Sequence, residues 1–226
     1  MGDSKSGSIN DRMQNSKFIA KFTEISVKVG NWVYLRSLRD AFAVILPMFI
    51  VAGIGVLLNN VVFTWFLKGD LLAKFQVVGN AIVNGTLNVA GILVAPMIGY
   101  MLAKNKGFNN PIAAAAMSLA SIFILMPNSI QLGTVASGGA KMATVTGGLS
   151  YLNTGTQGMF GGIFVGLIAT GIFIKLASVK RLQIHLGENV PPAVAASFSV
   201  LLPAILLMSF FAIIAALLAG FFNADQ

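Results

Sequence analysis

Long apolar runs without a single charge restrict the fold of this chain more than any other feature. The stretch from Ala41 to Leu58 contains only apolar side chains, one proline and two glycines. A helix of about 20 apolar residues crosses the hydrocarbon core of a bilayer. Charged residues make up 10% of the 226 residues, whereas soluble domains carry about 25%. The chain is therefore predicted to be an integral membrane protein.

The apolar runs predict five transmembrane helices. They cover residues 41–66, 81–102, 112–127, 158–177 and 193–222. If the N-terminus lies in the cytoplasm, twelve of the 15 Lys and Arg residues fall on the cytoplasmic side, as the positive-inside rule requires. The predicted fold class is an all-α integral membrane protein with five transmembrane helices, its N-terminus inside and its C-terminus outside.

The segment before the first span divides into two parts. Residues 1–15 are polar and rich in Ser and charge, which predicts a disordered tail. In residues 16–39, apolar residues recur at helical spacing with lysines between them, which predicts an amphipathic helix lying on the cytoplasmic face of the membrane. A soluble helix that binds a partner is the alternative. Residues 40–226 form the five-span membrane domain.

Residue types that carry chemistry are scarce. Cysteine is absent and His185 is the single histidine, so no thiolate metal site is expected, and a solvated or packed loop histidine explains His185 better than catalysis does. The loop 128–157 is rich in Gly, Ser and Thr, and its structure is left open. No catalytic residue, metal site or cofactor is predicted, and whether the chain belongs to an enzyme is left open. The net charge of +8 follows from membrane orientation and does not indicate nucleic acid.

Three polar residues interrupt the second span. They are Asn84, Thr86 and Asn88, in the stretch IVNGTLNVAG. A hairpin turn and a glycosylation site both require a surface loop, so they conflict with a position inside the membrane. If the helix unwinds at Gly85, all three side chains converge. Neutral amides and hydroxyls suit a hydroxyl-rich solute such as a sugar, but hydrogen bonding between helices explains them slightly better.

Glycines recur every four residues in the fourth span. Gly158, Gly162 and Gly166 place a row of small residues on one helix face, and Thr170 continues it. Such a row lets another helix backbone approach closely. It predicts a helix-packing interface, either inside one protomer or between the two protomers of a dimer.

Four segments carry a family resemblance. They read YLRSLRDAFAVILPMFIVAGIGVLL, NGTLNVAGILVAPMIGYMLAK, NNPIAAAAMSLASIFI and ENVPPAVAASFSVLLPA, in this order. Together they resemble the membrane subunit, enzyme IIC, of the bacterial phosphotransferase system (PTS), in its lactose/cellobiose family. The resemblance covers Ser16 to the end of the chain and corresponds to the N-terminal half of that subunit.

The resemblance implies a sugar permease in the bacterial plasma membrane. Members of that family are about twice as long and have two halves, of which the first provides the dimer interface and the second carries a His and a Glu near the sugar. They import a β-linked disaccharide, such as cellobiose, lactose or diacetylchitobiose, while it is phosphorylated from a cysteine on a cytosolic IIB subunit. The implied partners are the disaccharide, IIB, a second copy, the missing C-terminal half and the lipid bilayer. The alternative function is an oligomerisation or scaffold module without transport activity of its own.

Overall fold

The computed structural model describes residues 19–24, 30–127, 129–136, 139–184 and 190–222. Its helices and strands follow one another along the chain. They are α1 (Val33–Leu57), α2 (Phe63–Phe66), α3 (Gly69–Thr86), α4 (Ala90–Asn105), α5 (Pro111–Leu125), β1 (Ser129–Ala136), β2 (Gly139–Thr146), α6 (Tyr151–Thr154), α7 (Met159–Ala177), α8 (Pro192–Ser199) and α9 (Leu201–Phe222). A π-helical turn, Leu58–Val62, joins α1 to α2.

Helix α4 is the centre of the bundle, and α1, α5 and α7 pack around it. Its residues Val94, Ile98 and Leu102 are fully buried. Small residues recur every four positions along the same helix, at the sites Gly91, Ala95, Gly99 and Ala103, and all of them are buried. Close packing in this core is expected because apolar lipid gives helices no hydrophobic reason to associate, so small residues and tight contacts must hold them.

The predicted spans are all helical, although their lengths differ. Four helical segments are long and apolar enough to cross a membrane: Val33–Phe66, Gly69–Asn105, Thr156–Ala177 and Leu201–Gly220. Helix α5 has 15 residues, about 22 Å at 1.5 Å per residue, which is shorter than a hydrocarbon core of about 30 Å. The helical membrane fold is thus confirmed, and the crossing of the membrane by α5 stays a prediction.

Two boundaries differ from the sequence-based ones. Helix α1 begins at Val33, so residues 33–39 form its first two turns and do not belong to a separate interfacial helix. Residues 19–24 are helical, whereas the predicted disordered tail 1–15 and His185 lie outside the described residues. The fifth predicted span is interrupted at Val200, where the backbone leaves the helical region and separates α8 from α9.

The loop left open by the sequence contains a β-hairpin. Strands β1 and β2 pair antiparallel, with Ser129 opposite Thr146 and Ala136 opposite Gly139. The all-α prediction therefore describes the membrane helices but misses these two strands. The composition, rich in Gly, Ser and Thr, hid the strands because such residues are as common in irregular loops as in short hairpins.

Asn59 fixes α3 against the end of α1. Its side-chain Nδ2 donates to the Gln76 carbonyl at 3.0 Å and to Asn80 Oδ1 at 2.9 Å. Gln76 Nε2 donates back to the Asn59 carbonyl at 3.0 Å. A Cβ at Gly79 would collide with the Asn59 carboxamide, so glycine is the residue that fits there.

Gly79→Ala is expected to lower the thermal midpoint of the purified protein. The added methyl group must displace the Asn59 side chain, which is held by two hydrogen bonds, and this costs about 1–3 kcal/mol. Gly53→Ala is the matched control, because nothing lies within 4 Å of a Cβ there. If Asn59→Ala does not relieve the effect in the double variant, the collision is not its cause.

Candidate functional site

The predicted polar site lies at a break between two helices. Helix α3 ends at Thr86, a 3₁₀ turn covers Leu87–Val89, and α4 begins at Ala90. The backbone leaves the helical region at Thr86, with φ −125° and ψ −77°, and at Val89, with φ −119° and ψ 6°. A break of this kind inside a span frees backbone groups, which need partners away from water.

A second break, just before α7, supplies those partners. Thr154 Oγ1 donates to the Asn88 carbonyl at 2.7 Å, and the Gly91 amide donates to the Gly155 carbonyl at 3.2 Å. A Cβ at Gly91 would lie 2.8 Å from the Gly155 carbonyl oxygen, so only glycine permits this approach. The two breaks therefore hold each other in place.

Two of the three predicted polar residues meet, and the third does not join them. Asn88 Nδ2 donates to Asn84 Oδ1 at 2.7 Å. Thr86 is 9% exposed, and its hydroxyl donates to the Ile82 carbonyl of its own helix at 2.6 Å. The condition for all three to converge, unwinding at Gly85, is not met, because the helix continues through Gly85 and its backbone breaks at Thr86. Asn84 and Asn88 remain as the candidate pair.

Asn84 and Asn88 belong to a longer row of amides that was not predicted from the sequence. Gln76, Asn80, Asn84 and Asn88 follow one another every four residues along α3 and its end, so they share one helix face. The four-residue spacing of these amides in an otherwise apolar segment would have identified the row. Asn59 and Gln76 close one end of the row through the hydrogen bonds described above.

The outer part of this amide row is free to bind. Asn80 and Asn84 are exposed. Their side-chain oxygens accept hydrogen bonds from Asn59 and Asn88, but their NH₂ groups donate none within the described residues. Unpaired NH₂ groups are costly next to hydrocarbon, so this face is expected to meet protein, water or a polar solute. The described residues contain no group of His, Cys, Asp and Glu suited to a metal ion.

The glycine row packs within one chain. A Cβ at Gly162 would lie 2.5 Å from the Gly91 carbonyl oxygen, and one at Gly166 would lie 2.9 Å from the Ala95 carbonyl oxygen. A Cβ at Gly158 would collide with the Asn153 carbonyl. Further along the same face, the Thr170 and Ser118 hydroxyls share a buried hydrogen bond of 2.7 Å. The row thus faces α4 and α5 of its own protomer.

Thr154→Val is expected to destabilise the protein by about 1 kcal/mol, because valine keeps the shape of the buried Thr154 side chain but leaves the partly buried Asn88 carbonyl without this donor. The thermal midpoint of the detergent-solubilised protein measures the loss. Thr156→Val, at an exposed position in the same segment, is the control. Equal midpoints for the two variants would contradict a stabilising role for the Thr154 hydrogen bond.

Packed apolar helices of this kind are typical of a membrane protein with several spans. The amides at the helix break give it a surface suited to a polar solute or to another protein segment. Comparison with known proteins identifies the family. The family model described as "Phosphotransferase system, EIIC" matches residues 39–224, so the chain belongs to the EIIC family.

The sequence of the chain is similar to those of individual EIIC components. The chain is 31% identical, over 89% of its length, to the oligo-beta-mannoside-specific EIIC component of the PTS of Bacillus subtilis strain 168, and covers 44% of that protein. It is 29% identical to the cellobiose-specific EIIC component of Lactococcus lactis subsp. lactis strain IL1403, over 80% of this chain and 44% of the relative. The chain thus spans less than half the length of these relatives, as the predicted N-terminal half would.

A solved transporter shows the same fold. The crystal structure of ChbC, the IIC component of the N,N'-diacetylchitobiose-specific PTS, superposes with a TM-score of 0.78 at 24% sequence identity. The match covers 90% of this chain and 47% of ChbC. The helical arrangement described above is therefore that of an IIC transporter.

Proposed function

We propose that the chain forms the N-terminal half of an EIIC permease that imports a β-linked disaccharide while the sugar is phosphorylated. The observation that carries the proposal is the family match over residues 39–224. The relatives named above are specific for oligo-β-mannosides and cellobiose, which supports a β-linked sugar. The bacterial plasma membrane is the corresponding location.

The chain's own contribution to sugar handling is the amide pair Asn84 and Asn88. Amide groups donate and accept hydrogen bonds without charge, as neutral sugar hydroxyls require. The phosphoryl group comes from a cytosolic IIB subunit in this scheme, and the C-terminal half supplies the remaining sugar contacts. No step of phosphoryl transfer is assigned to residues of this chain.

The exposure of α3 supports assembly with further protein. Gly79 and Thr86 are its buried residues, while large apolar side chains such as Phe75 and Val77 are 48% and 63% exposed. Lipid can cover the apolar side chains, but it cannot pair the amides of Asn80 and Asn84. We assign this face to contact with the C-terminal half of the permease, within a homodimer.

The orientation follows from the charges, with five spans, the N-terminus inside and the C-terminus outside. Because the chain contains no cysteine, single-cysteine labelling tests it without background. In whole cells, a membrane-impermeant maleimide is expected to label Lys74→Cys, and to label Lys180→Cys only after the membrane is opened. Labelling of both variants in intact cells would contradict the proposed orientation.

Complementation tests the function. A strain whose own cellobiose-type EIIC lacks its N-terminal half is given this chain, and growth on cellobiose is measured. Restored growth is expected, and a control strain without the C-terminal half should not grow. If the chain reaches the membrane and co-purifies with the C-terminal half but growth is not restored, the proposed function is contradicted.

A further inference from the structure

A groove lies at the end of the bundle opposite the amide row and is large enough to bind a further ligand. Two adjoining cavities of about 270 and 320 Å³ form it. They share Phe108 and Asn109 of the α4–α5 loop, Ala177 at the end of α7, and Gln183. We refer to the joined cavities as the end groove.

The end groove is polar and cationic at its first cavity and more apolar at its second. Lys106 and Ser178 line the first cavity, and Ala196 and Val200 line the second. Next to the second cavity, Phe198 and Leu201 are 43% and 42% exposed. A ligand that fits the whole groove therefore has an anionic or polar end and an apolar end.

Lys106 lines the polar end, and the basic residues near it along the chain have no acidic neighbour in the sequence. No Asp or Glu occurs between Asp70 and Glu188, and residues 185–189 lie outside the described part of the chain. The ion pairs found among the described residues both go to Asp40, from Arg36 and Arg39. The basic residues near the two turns form no ion pair within the described part of the chain. They are Lys104, Lys106, Lys175, Lys180 and Arg181.

Lys106 is held at the edge of the groove. Its Nζ donates to the Tyr34 hydroxyl at 3.0 Å and lies 4.5 Å from the centre of the Tyr34 ring. A lysine ammonium has three donors, so two remain for a ligand. Because the side chain is already ordered, binding an anion there costs little further side-chain entropy.

The start of α5 adds to the positive potential of the groove. Asn110 caps this helix by accepting a hydrogen bond from the Ala113 amide at 3.1 Å, and Asn109 just before it lines both cavities, so the helix begins where the two cavities join. The N-terminus of a 15-residue helix carries a partial positive charge that favours phosphate. Helix end and lysines thus attract the same class of ligand.

We propose that the end groove binds an anionic glycerophospholipid, with the phosphate of its headgroup at Lys106 and its apolar part along α8 and the start of α9. Basic pockets between helices at the membrane surface are known to hold such headgroups. The proposal does not depend on the transport function, because it rests only on the groove and its charges. A free phosphate ion shares the polar chemistry but not the apolar end.

Native mass spectrometry of the purified chain in detergent tests this proposal. Three probes are compared at equal concentrations: phosphatidylglycerol, phosphatidylcholine and inorganic phosphate. The variant Lys106→Gln/Lys180→Gln removes the groove charge of Lys106 and one charge of the turn that leads to Gln183. Lys180→Gln/Arg181→Gln removes two charges of that exposed turn and serves if loss of the Lys106–Tyr34 contact disturbs the fold. Lys68→Gln/Lys74→Gln removes the same charge from the opposite end of the bundle.

Phosphatidylglycerol is expected to bind at least tenfold more tightly than phosphatidylcholine. Each cation near an anionic headgroup contributes about fivefold, so removing two of them with either double variant should weaken binding about 25-fold, while the control stays within about twofold. Equal binding of the two lipids, or equal weakening by the control, would overturn the proposal. Binding of inorganic phosphate as tight as that of the lipid would show that the site serves a soluble anion and would overturn the lipid assignment.

Discussion

Gly162→Ile is expected to abolish the folded form of the protein, whereas Gly161→Ile leaves it folded. A Cβ at Gly162 would lie 2.5 Å from the Gly91 carbonyl oxygen, which belongs to the backbone of the central helix α4 and cannot rotate away. Isoleucine there must push α7 from α4 and break the contacts between the two helix breaks. Overpacking of this kind costs about 3 kcal/mol or more.

The neighbouring glycine supplies the control for that experiment. Gly161 is exposed, and nothing lies within 4 Å of a Cβ built on it. The two variants have the same composition, hydropathy and position in the membrane. Size-exclusion profiles in detergent should show a monodisperse peak for the Gly161 variant and aggregated protein for the Gly162 variant. Two monodisperse peaks with equal thermal midpoints would refute the packing of α7 on α4.

Asn84→Ala/Asn88→Ala is expected to weaken sugar binding by the complete permease at least tenfold without preventing its assembly. The two amides hydrogen-bond to each other, and Asn84 is exposed. Their removal therefore leaves no buried group unpaired inside this half of the permease. A site built to hydrogen-bond a hydroxyl loses much affinity when its partner groups are removed. Isothermal titration with the β-linked disaccharide measures the change.

Asn60→Ala is the control for the amide pair. Asn60 is also exposed, but its Nδ2 donates at 2.9 Å to the Val56 carbonyl of its own helix, so it should not affect the sugar. The alternative role for Asn84 and Asn88 is hydrogen bonding between helices, worth about 0.6 kcal/mol on average. Lost assembly together with unchanged sugar affinity in the fraction that does assemble would establish that role instead.

Periodic patterns in the sequence predicted the membrane helices and one of their contact faces. The glycine row at Gly158, Gly162 and Gly166 was readable because each residue lacks a side chain at fixed helical spacing. Its partner row on α4, from Gly91 to Ala103, was not identified, since alternating Gly and Ala are frequent throughout an apolar chain. Which two rows meet depends on tertiary packing, and one sequence does not contain that information.

The candidate site was predicted only in part, for a local reason. Asn84 and Asn88 are four residues apart, and that spacing was sufficient to place them on one face. The position of the helix break was not predictable from Gly85, because the contacts of Asn88 and Gly91 with Thr154 and Gly155 fix the break from a segment more than 60 residues away. Tertiary hydrogen bonds of this range override the local preference of glycine.

The chemical form of the imported sugar tests the central claim most directly. Membrane vesicles containing this chain, the C-terminal half of a cellobiose-type EIIC and the cytosolic PTS proteins are supplied with radiolabelled cellobiose. If the chain is the N-terminal half of a PTS permease, phosphoenolpyruvate drives the accumulation of phosphorylated cellobiose, and a protonophore does not prevent it. Accumulation of unmodified cellobiose that depends on the proton gradient would contradict the account.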